Sequence, residues 1–149
     1  MKFSKIFHLL IFVLLILTGT LLAQDLFIHE MIGGSREDIL KKFGKPVHQD
    51  DSIPSMICMF YKTDSYSMTF VLNKEGIFQA EESINYGNMK EALNAVNEII
   101  SGSEKKNFAV DTVSSTAFRL NKKGISANLQ IFPDQISKKY LVSLKAKKY

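Results

Sequence analysis

A chain of 149 residues, 46% hydrophobic and with a formal net charge of +4, is long enough for one domain with its own apolar core. Its single cysteine, Cys58, excludes an intramolecular disulfide, so that core must hold the fold unaided. The slight excess of charge, with only one arginine in the basic C-terminal third, argues against a nucleic-acid partner.

The first 23 residues read as a secretory signal. Lys2 and Lys5 precede an apolar run over residues 6–17 that only His8 interrupts, and Thr18, Gly19 and Thr20 then break it. Leu21-Leu22-Ala23 suits a signal peptidase, which would leave Gln24 as the new N-terminus. The expected product is one exported domain over residues 24–149, periplasmic or secreted, touching a membrane only if the leader is retained. No cysteine stands at the cleavage point to carry a lipid. Removal of Lys2 and Lys5 leaves 17 basic against 15 acidic residues. They are unevenly spread: residues 24–104 carry a net −6 and residues 105–149 a net +8.

Ser35 and the acids Glu37 and Asp38 predict the start of a helix, with Ile39, Leu40 and Phe43 as its apolar side and Gly44 and Pro46 as its stop. A polar stretch around His48, Asp50 and Asp51 reads as a solvated loop. Residues 56–61 and 107–113 are the opening strands of two sets, and Cys58, among apolar neighbours, is expected to be buried. Alternation over residues 66–72, an Asn73-Lys74-Glu75-Gly76 turn and a return over residues 77–84 predict a hairpin. Asn88 with Glu91 opens a second helix whose apolar side runs from Met89 through Val96 to Ile100, and Gly102 is read as its end. Phe118 and Leu120 lead through Asn121-Lys122-Lys123-Gly124 into alternation over residues 125–132, and residues 140–144 close the chain. The expected fold is α+β: an antiparallel sheet of about six strands with two helices on one face, ordered helix, three strands, helix, three strands. An offset of 48 overlays Phe70, Leu72, Asn73, Lys74 and Gly76 on Phe118, Leu120, Asn121, Lys122 and Gly124. Two degenerate half-repeats, over residues 33–87 and 88–146, would account for it, and so would turn chemistry alone.

Gly34-Ser35, Asp38-Ile39-Leu40 and Gly44-Lys45-Pro46, followed by a polar stretch and a hairpin with Gly76, resemble the SmpA/OmlA outer-membrane assembly lipoproteins and the beta-lactamase inhibitor protein-like domains, over residues 33–84. The resemblance implies a non-enzymatic envelope or secreted protein that binds other proteins across an antiparallel sheet. The acylated cysteine of the lipoprotein branch is missing.

Residue by residue, the sequence holds no phosphate loop, nucleophile elbow or His-Glu-x-x-His motif, and Glu81 and Glu82 point to opposite faces of a strand. No catalytic residue, cofactor or metal is therefore expected. Alternation assigns Phe70, Leu72, Phe118, Leu120, Ile125, Leu129, Val142 and Leu144 to the helix side. The opposite face then carries Arg119, Asn128, Gln130, Phe132 and Lys145, the expected contact residues for an unknown protein or peptide of the envelope, with Arg119 and Phe132 as anchors. The alternative reading is a small-ligand carrier or hydrolase with a site near His48, Asp50 and Tyr61.

Overall fold

The computed structural model describes residues 27–149, so the secretory signal expected over residues 1–23 lies outside the described part. A 3-10 turn, Ile28–Met31, precedes helix α1 (Arg36–Phe43). Asp38 N–H donates to Ser35 Oγ at 3.2 Å and the Asp38 carboxylate accepts from Ser35 N at 2.7 Å. This reciprocal capping box satisfies donors that the first turn leaves free. Gly44, at φ 73°, ends the helix and returns its N–H to the Leu40 carbonyl. Helix α2 (Met89–Lys105) opens on Asn88, whose Oδ1 accepts from Glu91 N–H at 3.0 Å. It runs past Gly102, contrary to the expected stop. A Cβ at Gly102 would lie 2.3 Å from the Phe27 ring, so this glycine serves close packing rather than termination.

Eight strands form one antiparallel sheet: β1 (His48–Asp50), β2 (Ile57–Lys62), β3 (Tyr66–Asn73), β4 (Gly76–Tyr86), β5 (Ala109–Ser114), β6 (Ala117–Lys122), β7 (Ile125–Pro133) and β8 (Tyr140–Lys148). The expectation of about six strands in two sets of three is thereby corrected: each helix is followed by four. The first set gains β1, which pairs His48 with Phe60 and Asp50 with Cys58 where a loop was expected. In the second set β6 pairs with β5 on one side and β7 on the other, so it is a strand in its own right. The expected strand over residues 107–113 begins at Ala109 because Asn107 adopts φ 64°, outside the extended region.

The spatial order is β1-β2-β3-β4-β8-β7-β6-β5. Each half is a helix followed by a four-strand meander, and the last strands of the two halves pair with Ser83 opposite Ser143. This topology relates the β3–β4 hairpin to the β7–β8 hairpin. The offset of 48 overlays β3–β4 on β6–β7 instead, and what those two hairpins share is a glycine at positive φ, Gly76 at 109° and Gly124 at 79°.

One face of the sheet is apolar and covered. Met59, Phe70, Ala80, Ala146, Ala127 and Leu120 follow one another across six strands, all buried. The three alanines at the centre are shallow, and there the 3-10 turn lies against β4, β7 and β8 and lowers Ile28 and His29 into the core. Ile39 of α1 and Ala92, Val96 and Ile99 of α2 complete the same cluster. The β3–β4 turn is clamped to the segment before α1: Gly33 N–H donates to the Ile77 carbonyl at 2.7 Å and Ile77 N–H to the Gly34 carbonyl at 2.8 Å.

Candidate functional site: the open face of the sheet

Because side chains alternate along a strand, burying one set obliges the other to face away from the helices. Register then lines up His48, Phe60, Thr69, Glu81, Lys145, Asn128, Arg119 and Asp111 in a single row across all eight strands. The next row holds Asp50, Cys58, Val71, Gln79, Lys147, Ser126, Asn121 and Ala109. Buried residues of both helices and of the 3-10 turn join the cluster on the opposite face, and among the described strand residues on this side Ser143 alone is buried.

The five contact residues expected from the sequence share this open face. Arg119, Asn128 and Lys145 are adjacent members of the first row, and all three are exposed. Gln130 lies opposite Ser143 and is half-buried, while Phe132 stands opposite Leu141 with 40% of its surface exposed. Lys145 Nζ meets Glu81 Oε1 at 2.8 Å, an ion pair across the β4–β8 seam. Beside it a shallow recess of about 500 Å³ is lined by Arg119, Asn121, Ser126, Asn128, Lys147 and Tyr149. Inside the recess Ser126 Oγ donates to Asn121 Oδ1 at 3.0 Å, and Asn121 Nδ2 donates to Asp111 Oδ2 at 3.2 Å. Pre-set amide and hydroxyl groups therefore lie between two cations, an arrangement suited to a polar, anionic guest.

His48, Asp50 and Tyr61 are not brought together. His48 and Asp50 lie on the open face, where the His48 ring stacks on Phe60 at a centroid distance of 5.5 Å. Hydrogen bonds from Ser52 hold the Asp50 carboxyl below the usual carboxylate range. Tyr61 points to the opposite, buried face and donates its hydroxyl to the Gly44 carbonyl at 2.9 Å, and burial pushes its phenol upward. A cleft of about 550 Å³ between the β1–β2 loop and the β3–β4 hairpin is walled by Met56, Ile57, Leu72 and Phe78, and Lys74 is its only ionisable lining residue. It includes none of the three. Among the described residues no group of three or more His, Cys, Asp or Glu could hold a metal ion.

Cys58 is half-buried on the open face rather than in the core, because the register that sends Met59 inward turns its neighbour outward. Glu81 and Glu82 do point oppositely: Glu82 is buried between Met68 and Leu144. Burial, and after it the charges of Glu82 and Glu98, push Tyr86 up to about 12. His29 went unassigned by sequence reasoning. It is fully buried, its ring edge-on to Phe108 at 4.8 Å, with Nε2 2.9 Å from Ser103 Oγ. Its partner is 74 residues away, so no local pattern announces the pair.

Among the described residues no helix is long and apolar enough to cross a membrane. No family model and no curated protein matches the chain. Two solved structures are similar over 80% of it: an extracellular protein containing an SCP domain from Bacillus anthracis, at 16% identity and a TM-score of 0.45, and a cysteine-rich secretory protein from Staphylococcus aureus, at 15% identity and 0.43. The chain spans under half of each, 44% and 45% of their lengths.

Proposed function

We propose that this is an exported, non-catalytic binding module that presents the open face of its sheet to a protein or peptide partner in the envelope or beyond it. The observation that carries the reading is the clustering of Arg119, Asn128, Gln130, Phe132 and Lys145 on one face of a sheet whose other face, among the described residues, packs against both helices in the core. Arg and aromatic side chains on a firm antiparallel platform are the usual anchors of protein contacts. Export rests on the leader over residues 1–23, and binding across a sheet is what the resemblance of residues 33–84 implies. The separation of His48 and Asp50 from Tyr61 removes the converging polar groups that a carrier or hydrolase site at these residues would need. Partner capture by the full chain tests the proposal. Alanine at both Arg119 and Phe132 is expected to abolish capture, while alanine at both Asn97 and Glu98 on α2 leaves it intact. The opposite pattern would reject the open face as the working surface.

A further inference from the structure

The geometry points to an acidic stretch of polypeptide as the segment taken by the recess at the β6–β7–β8 end of the open face, an inference that rests on the binding reading above. Its basis is which charges on that face are already engaged. Among the described residues Glu81 holds Lys145 at 2.8 Å, Asp50 accepts from Ser52 at 2.9 Å, and Asp111 accepts from Asn121 at 3.2 Å. Arg119 and Lys147 belong to no ion pair among those residues. Both line the recess of about 500 Å³, with Asn128 and Ser126 of the intervening strand between them.

Spacing selects the guest. Arg119 and Lys147 sit two strands and one row apart, roughly 10–12 Å between backbones, and alternate residues of an extended peptide are about 7 Å apart. The long arms of the two cations make up the difference, so carboxylates two residues apart on one strand reach both. Arg119 supplies a planar fork for bidentate contact, Lys147 a point charge, and the Asn and Ser groups can meet the guest's backbone. Glu81 and Asp111 flank the recess in the same row as Arg119. They would repel a dense polyanion such as nucleic acid or polyphosphate, and tolerate the sparser charge of a peptide.

The test is binding of a fluorescent, alternating Glu-Ser dodecapeptide to the full chain, read by anisotropy, with a Gln-Ser peptide as the uncharged control. Two variants remove the same charge from different places: Arg119→Gln with Lys147→Gln in the recess, and Lys90→Gln with Lys105→Gln on α2 behind the sheet. The recess variant is expected to weaken binding at least about tenfold and the α2 variant less than about twofold, with both retaining the circular dichroism of the parent. Equal losses in the two variants, no binding by the parent, or stronger capture of phosphatidylglycerol vesicles than of the peptide would overturn the proposal. Should the parent ignore the peptide while alanine at Arg119 and Phe132 still abolishes partner capture, the open face stands and the acidic guest falls.

Discussion

Glu81 and Lys145 meet at 2.8 Å across β4 and β8, the two strands that join the halves of the sheet, and they do so on the side away from the helices. The pair therefore marks the middle of the open face and neutralises it there. Both side chains remain substantially exposed, at 37% and 59%, so the attraction is screened and the pair is a weak fastener.

The first prediction follows from that weakness. Glu81→Gln is expected to change stability by less than about 1 kcal/mol, with the difference shrinking at high salt, because the seam is held by backbone pairing and by the apolar rows beneath it. It also frees Lys145 beside Arg119, so affinity for the Glu-Ser peptide is expected to rise. Urea unfolding at two salt concentrations and the same anisotropy assay check both halves of the statement.

His29 carries the second. Ser103 donates its hydroxyl proton to the Ile99 carbonyl at 2.6 Å, so its oxygen accepts from His29 Nε2, and Nδ1 is left bare in the core. Burial, reinforced by the charge of Lys42, lowers the imidazole to about 4. The unfolded chain takes up this proton near pH 6.5 and the folded chain resists it down to about 4. Stability from this group is therefore complete above pH 6.5 and is lost as pH falls toward 4, by about 3 kcal/mol in all. A proton resonance of the His29 ring that titrates near 6.5 in the folded protein would contradict it.

Two glycines at positive φ provide a paired comparison. At Gly76 an added Cβ would come within 2.5 Å of the Gly34 carbonyl oxygen, inside the clamp between the hairpin turn and the segment before α1. At Gly124 the same atom meets nothing within 4 Å. Gly124→Ala is expected to cost about 1 kcal/mol, for backbone strain alone, and Gly76→Ala at least about 2 kcal/mol more, because the clamp must open. Similar melting temperatures for the two variants would show that the clamp contributes little.

Tyr61→Phe separates the binding reading from the carrier or hydrolase alternative. It removes one hydrogen bond, to the Gly44 carbonyl, on the buried side of the sheet. A stability loss of about 1 kcal/mol with unchanged partner capture is expected, measured by denaturant midpoint and by the capture assay. Loss of capture with the fold intact would reopen the alternative.

Features decided by neighbouring residues were legible in the sequence. Ser35 with the acids that follow it marks the start of α1 within four positions, and Asn88 with Glu91 marks that of α2, where Asn88 Oδ1 accepts from Glu91 N–H and the Glu91 carboxylate accepts from Gly87 N–H. Alternation likewise places Arg119 and Asn128 on the face away from Leu120 and Leu129, because parity along a strand is a local property. What the chain hides is set at a distance. Three residues, His48–Asp50, are too few to show alternation, and they become a strand only because β2 offers an edge. The grouping of Tyr61 with His48 fails on the same ground: His48 lies opposite Phe60, so the residue next to Phe60 must face the other way. Gly102 reads as a helix stop until Phe27 is seen against it.

Site-specific photo-crosslinking compares the two sides of the sheet most directly. A photoreactive residue is placed at Asn128 on the open face or at Asn97 on α2, both exposed, in the full chain expressed in its native host. The account predicts a discrete protein adduct from position 128, lost when Arg119 and Phe132 are alanine, and none from position 97. An adduct from position 97 alone, or equal adducts from both, would contradict it.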